Sequence, residues 1–426
     1  MTTTTSLDAV LRWMSPAQLR SIVQAGQAKL TLWEGSVSAG KTIASLFALF
    51  DAIRHAPTNG LVVIIGKTLQ TVYQNVITVM QSRELFGALA AAVQYTRGAP
   101  TARIMGREVS ILGANDAKAA GKIQGSTIAL AYVDEATLLP PGYWPMLVTR
   151  LRVLGARLLA TTNPGPRNHW LRKDWILKAE QVGMQVFSFK MDDNPSLSEE
   201  YKASMRASFT GIFYDRYILG KWTNAEGAIY DMWDPARHVI PWASLPKMRR
   251  LYAVGVDYGT HNAFAAELLG HGDDGRLYLV DEWCHISTDE GQQRWTDGEL
   301  SAGLRTWMVG QHLPHAAPRI EWVAVDPSAA SFRQQLFYDG MSNVMDADND
   351  VIPGIRNLQT LLAGGKLLVS DRCPGWIDEA PGYAWDPVAT DQGFDRPIKR
   401  EDHRMDAGRY AVQSTDALWR PSLVAA

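Results

Sequence analysis

Residues 35–42 read Gly35-Ser36-Val37-Ser38-Ala39-Gly40-Lys41-Thr42, a glycine-rich loop that closes on a lysine and a hydroxyl. Such a loop turns several backbone N–H groups toward phosphate oxygens, and the N-terminus of a following helix reinforces them. Lys41 then supplies a point charge to β- and γ-phosphates, and Thr42 a hydroxyl ligand for Mg²⁺. Asp134-Glu135 is a second chemical signal. Asp134 suits Mg²⁺, held directly or through water, and Glu135 suits polarisation of an attacking water.

The elements around these residues must bring them together. An apolar run at residues 30–33 predicts a short strand before the loop, and residues 43–53 predict an apolar helix after it. Strand, loop and helix in that order are the setting that a phosphate-binding loop requires. Residues 61–66 and 128–133 are continuous apolar runs, as buried parallel strands are. The second delivers Asp134 and Glu135 to its C-terminal end, where open α/β sheets bind ligands. A further strand between loop and acidic strand fits ATPases with an additional sheet strand better than nucleotide kinases or small GTPases. Residues 158–162 give another strand, whose tip presents Thr161, Thr162 and Asn163. Polar groups there can touch a γ-phosphate and report its loss. Ser15-Pro16 caps a short predicted helix that holds Gln18. Trp33 reads as core.

The second half changes character. Residues 192–242 are rich in Pro, Trp and Tyr around a helical stretch at 199–219. Strands follow at 252–257, 263–269 and 277–282, the last two joined by the turn sequence HGDDG. The first of these ends in Asp257, and a later apolar strand ends in Asp326. A closing helix begins near Asp402 and carries His403 and Asp406, which three-residue spacing puts on one face.

Taken in order and spacing, GSVSAGKT, AYVDEATLLP, LLATTNPGPRNHWL, MDDNPSL, GIFYDRYILGKW and EGAIYDMW resemble the large terminase subunit of tailed bacteriophages. The resemblance implies an α/β chain with three parts: a P-loop ATPase domain with an additional central strand (1–190), a lid and linker (191–245), and a ribonuclease H-like nuclease domain (246–426). It implies that the loop, Asp134 and Asn163 hold ATP with Mg²⁺, that Glu135 is catalytic, and that Gln18 either reads adenine or is helix surface. Many relatives carry an arginine inside the loop, and Val37-Ser38-Ala39 has none. Arg150 is the candidate arginine finger and Arg152 the second, against a structural or DNA-facing role for either.

In the nuclease domain, Asp257, Asp326 and Asp406 match the family's metal-binding triad. Paired Mg²⁺ or Mn²⁺ ions need hard oxygen ligands, and clustered carboxylates repel one another unless cations sit among them. Two such ions about 4 Å apart can stabilise both the attacking water and the leaving 3′-oxygen of a phosphodiester. His403 is expected to assist metal or scissile phosphate, or else to cap its helix. Glu282 is a further ligand or a solvated strand end, Lys399 a contact to DNA phosphate, and Arg409 a helix-surface or salt-bridge residue. The implied function is ATP-driven translocation of double-stranded DNA into a procapsid, with cutting of concatemeric DNA at initiation and termination. Implied partners are the portal protein, a small terminase subunit and further copies of the chain in a ring, in host cytoplasm at the procapsid.

Composition sets the outer bounds. A chain of 426 residues exceeds one ordinary core, so two or more domains are expected. With 46% hydrophobic and 20% charged residues it reads as soluble and globular, without a bilayer-spanning run or a secretory start. The polar opening MTTTTS reads as frayed. Cys284 and Cys373 have no paired spacing, against a disulfide framework or a zinc knuckle. A net charge of −2 leaves nucleic acid open, because a local basic track is sufficient. Arg150, Arg152, Arg157, Arg167, Arg172 and Lys173 are such a track or a solvated face. Two rival readings remain at this point: a host-type helicase or repair ATPase fused to a nuclease, and an ATPase with a non-catalytic ribonuclease H-like scaffold.

Overall fold

The computed structural model describes residues 13–114, 121, 123–259, 263–285, 295–400 and 402–424, so the MTTTTS start lies outside the described residues. The chain divides into two compact units. One runs to Asn224 and includes Asp391–Phe394, and the other comprises Ala225–Thr390 and the chain from Asp395 onward. The segment at 191–245, expected as lid and linker, is thus shared between them.

The first unit is built on an eight-stranded sheet. Its strands are β1 (Leu30–Gly35), β2 (Leu61–Gly66), β3 (Val93–Gln94), β4 (Thr101–Ile104), β5 (Arg107–Gly113), β6 (Ile128–Val133), β7 (Arg157–Thr162) and β8 (Met184–Phe189). Their order across the sheet is β3-β4-β5-β2-β6-β7-β1-β8. All six residues of β6 are buried, as a strand covered on both faces requires. The additional central strand is β7, which pairs in parallel with both β1 and β6. β2 lies on the far side of β6. One face is packed by the helix Lys41–His55, whose buried Leu46, Leu49, Phe50 and Ile53 join Trp33 and Ile64 in a single core. On the other face Trp144, Tyr143 and Leu147 meet Leu158 and Val133.

The antiparallel corner formed by β3, β4 and β5 has no counterpart in the sequence reading. Its strands are short and alternate buried with exposed positions. The helical stretch expected at 199–219 is broken. A regular helix, Glu199–Ala207, stops at Ser208, and after Gly211, at φ +52°, the chain winds as a π-helix over Tyr214–Ile218.

The second unit has seven strands: β9 (Val239–Ile240), β10 (Met248–Asp257), β11 (Phe264–Gly272), β12 (Leu277–His285), β13 (Ile320–Val325), β14 (Val344–Asp346) and β15 (Leu367–Ser370), ordered β14-β13-β10-β11-β12-β15-β9. β10, β11 and β12 form an antiparallel meander, and β13 adds to β10 in parallel. The helix His403–Ser414 lies on β10 and β11. Its approach is close enough that a Cβ on Gly255 would sit 2.0 Å from the Ala407 carbonyl oxygen. Glycine is needed there for space.

Candidate active sites

In the first unit the glycine-rich loop leaves β1 and turns into its helix at Gly40, whose φ of +82° suits glycine. Lys41 is 7% exposed and folds back over the loop. Its ammonium donates to Gly35 O at 3.0 Å, to Ser36 O, and to Asn163 Oδ1 at 2.9 Å. Burial lowers its pKa to about 8, although Glu135, Glu34 and Asp134 pull the other way. Thr42 opens the helix, half-buried.

The tip of β7 joins the lysine to the acidic pair. Thr161 donates from Oγ1 to Asp134 Oδ1 at 2.9 Å and accepts from the Glu135 backbone N–H at 3.3 Å. Asn163, two residues on, holds Lys41. Asp134 is 5% exposed. Burial pushes its carboxyl up, opposed by hydrogen bonds from Thr161 and Asn75. The Asn75 amide reaches Asp134 Oδ2 at 3.3 Å from a π-helical turn at Tyr73–Ile77, and such turns are frequent at functional sites. Glu135 itself sits at φ +52°, in the left-handed region, just past the strand end.

Gln18, expected at adenine or on the helix surface, is 2% exposed. In the structure its amide is bonded at both ends, donating from Nε2 to Ala39 O at 2.8 Å and accepting from the Ser15 N–H at 2.7 Å. It braces the loop, inside a capping box formed with Ser15, and lines the cavity beside Gly40. A Cβ on Gly40 would come within 2.2 Å of Gln18 Nε2, so the brace and the loop glycine fit each other. Trp33 is core, its indole N–H bonded to Ser21. Arg150 ends the helix Tyr143–Arg150 with Nε on Thr149 Oγ1, and Arg152 turns back to Thr149 O.

The chain after residue 190, the stretch expected as lid and linker, bonds to the loop at three points. Asn194 donates to Ser38 O at 2.7 Å, Tyr201 OH and Ser38 Oγ lie 2.9 Å apart, and the Val37 N–H donates to Tyr217 O at 2.7 Å. Between Asn194 and Gly40 lies a cavity of about 240 Å³ lined by Trp13, Gln18, Ile43, Phe47 and Leu85.

In the second unit the strand register does the positioning. Val256 of β10 pairs with Val325 of β13, so Asp257 and Asp326 come side by side at adjacent strand tips. The helix crossing Gly255 sets Asp406 over the same strand. Each acid has its own partner: Asp257 Oδ2 meets His403 Nδ1 at 2.9 Å, and Asp326 Oδ2 accepts from Tyr410 OH at 2.8 Å. Asp406 takes Lys399 on Oδ2 at 2.6 Å and Arg409 on Oδ1 at 2.8 Å. As the side chains stand, no group of three or more His, Cys, Asp and Glu closes on a single ion position among the described residues. Burial raises the Asp257 pKa against the His403 bond, and the nearby Asp406 raises it further. Asp326 lies below its ordinary value: burial would raise it, but hydrogen bonds from Ser328 and Tyr410 outweigh that. The Asp257 hydrogen bond raises His403.

Two open expectations are resolved. Of the two roles expected for Arg409, surface or salt bridge, the structure has the salt bridge: the residue is 1% exposed and clamped between Asp406 and Asn349 O. Glu282 is neither ligand-like nor solvated. Its carboxylate accepts the N–H groups of Gly375 and Trp376 at 2.8 and 2.9 Å and is spent on that turn. Tyr410 escaped notice, although its spacing of four from Asp406 puts it on the same helix face.

Comparison with known proteins settles the lineage. Residues 32–234 match the family described as terminase large subunit, T4likevirus-type, N-terminal. The large terminase of a thermophilic bacteriophage, solved with ADP, is 32% identical with a TM-score of 0.84, covering 95% of this chain and 100% of its own. The chain belongs to the large terminase subunits. A second structure of that thermophilic phage's terminase, with ATP-γ-S, matches at 33% identity and a TM-score of 0.82, over 94% of this chain and 99% of its own. The large terminase subunit of Escherichia phage T5 is 24% identical over 236 residues, which are 52% of this chain. That match spans about half of the T5 protein's length, at 50%. Among the described residues of this terminase chain, no helix is long and apolar enough to cross a membrane.

Proposed function

We propose that this chain is the motor and nuclease subunit of a phage DNA-packaging machine, hydrolysing ATP in its first unit and cutting double-stranded DNA in its second. The observation that carries the ATPase reading is the pair of hydrogen bonds at the β7 tip: Asn163 accepts from Lys41 and Thr161 donates to Asp134. It ties the phosphate-facing lysine to the Mg²⁺-facing carboxylate, so loss of a γ-phosphate at one is felt at the other. The loop N–H groups and Lys41 would bind the phosphates, Thr42 and Asp134 would hold Mg²⁺, and Glu135 would orient water. The base would enter the cavity beside Gly40, between Ile43 and Phe47. The ADP and ATP-γ-S complexes of the thermophilic phage's terminase support a nucleotide in this unit.

For the nuclease, the donor chemistry fits divalent ions. Asp257, Asp326 and Asp406 are hard oxygen donors on three converging elements, and the carboxylates already draw in an ammonium, a guanidinium and an imidazole. Bound Mg²⁺ or Mn²⁺ would activate water and stabilise the leaving 3′-oxygen. The chain's own part is to fix the acids: Tyr410 and Ser328 orient Asp326, and Arg409 anchors Asp406. Packaging partners, namely portal, small terminase subunit and a ring of copies around DNA, belong to the same proposal. DNA-stimulated ATP turnover should vanish in Lys41→Ala while the variant keeps its fold by circular dichroism. Turnover at the wild-type rate would refute the ATPase assignment.

A further inference from the structure

Three cations contact the acids of the second unit, and they are not equivalent. Arg409 is 1% exposed, shares its guanidinium between Asp406 and Asn349 O, and lies against Gly354. It is built in. His403 belongs to the first turn of the helix and is held by Asp257. Lys399 differs from both: it lies outside any helix or strand, and its side chain is 54% exposed. Its ammonium sits on Asp406 Oδ2 at 2.6 Å and on Asp402 Oδ2 at 2.9 Å. The two carboxylates it bridges are 6% and 7% exposed. The anions are therefore fixed and the cation is free to leave on a flexible four-carbon stem. A compact, strongly hydrated ammonium goes to water more readily than a stacked guanidinium does.

We infer that Lys399 is an exchangeable counter-ion, whose ammonium holds the Asp406 oxygen that a divalent ion would take, so that metal binding is a cation exchange. This rests on the metal-nuclease reading above. Buried carboxylates without a cation are costly, and Arg409 bonds only the other Asp406 oxygen, so the Oδ2 atoms of Asp402 and Asp406 keep Lys399 until another cation arrives. The lysine thus keeps the acids paired and ordered before metal enters, and its displacement sets the apparent metal affinity.

The full chain is tested with Mn²⁺ alone, by calorimetry and by lysine footprinting with an acetylating reagent read by mass spectrometry. In the wild type, Mn²⁺ should raise the rate of Lys399 acetylation several-fold, because the ammonium leaves its carboxylates. Lys399→Met keeps the stem without the charge and should bind Mn²⁺ roughly threefold to tenfold more tightly, the scale of a half-exposed ion pair. Lys399→Arg should bind no more tightly than wild type. A merely nearby positive charge would also weaken metal binding, but it would not change its own reactivity when the metal binds. Mn²⁺ binding with unchanged Lys399 reactivity overturns the exchange and leaves the metal site standing. No Mn²⁺ binding to the wild type overturns both.

Discussion

At the scale of single residues, the first site depends on groups that hold the acidic pair in place. Thr161 is one: its hydroxyl holds Asp134 Oδ1 while its position fixes the Glu135 N–H. Thr161→Val keeps the shape and deletes both bonds. By analogy with outer-shell partners of metal ligands, ATP turnover should fall about tenfold to a hundredfold, with a higher Mg²⁺ requirement. An unchanged Mg²⁺ titration would remove Thr161 from the account. The second unit hides a different kind of residue. Glu267 on β11 is fully buried and lies opposite Glu282 in register. Burial, then Glu282, pushes its carboxyl well above the ordinary value of 4.5. The folded chain therefore holds that proton more tightly than the unfolded one, so this group costs stability as pH rises above about 4.5. Glu267→Gln should flatten that fall, which urea unfolding at several pH values would reveal. A steeper fall in the variant would contradict the assignment.

Much of this was readable from residue types. The loop, the acidic pair and the three aspartates stand at strand ends where an apolar run meets a polar tip or on the helix that closes the chain, and signals of that kind are local. The bond from Gln18 to the Ala39 carbonyl was not readable, because a side chain's partners depend on what packs beside it. Glu282 failed for the same reason, since Gly375 and Trp376 lie 93 and 94 residues away.

At the scale of elements, parallel strands announced themselves and small antiparallel ones did not. β2 and β6 are continuous apolar runs, whereas β4 shows only two buried positions in four residues. The break at Ser208–Gly211 was masked by helix-forming residues on both sides. One contact between elements can be tried directly: the crossing of the His403–Ser414 helix over β10. With a Cβ, Gly255 would meet Ala407 O at 2.0 Å and Ala411 N at 2.5 Å, both backbone atoms that cannot swing aside. Gly255→Ala should destabilise the second unit by about 1–3 kcal/mol, as overpacking does, and should weaken DNA cleavage by lifting Asp406 from its neighbours. A chemical-denaturation midpoint equal to wild type would show that the helix does not need that approach.

At the scale of the molecule, two units have separate sheets and cores, and the proposed function gives each its own phosphorus chemistry. The division was foreseeable from length and from the change in pattern near residue 192, though the boundary at Asn224 was not. Each set of acids lies within one unit, Asp134 and Glu135 in the first and Asp257, Asp326 and Asp406 in the second. The two chemistries should therefore be separable by single substitutions. The most direct measurement follows ATP turnover and plasmid cleavage together, with DNA, ATP and Mn²⁺, for wild type, Glu135→Ala and Asp257→Ala. The account predicts that Glu135→Ala loses turnover and Asp257→Ala loses cleavage while still hydrolysing ATP. Cleavage at the wild-type rate by Asp257→Ala would contradict it.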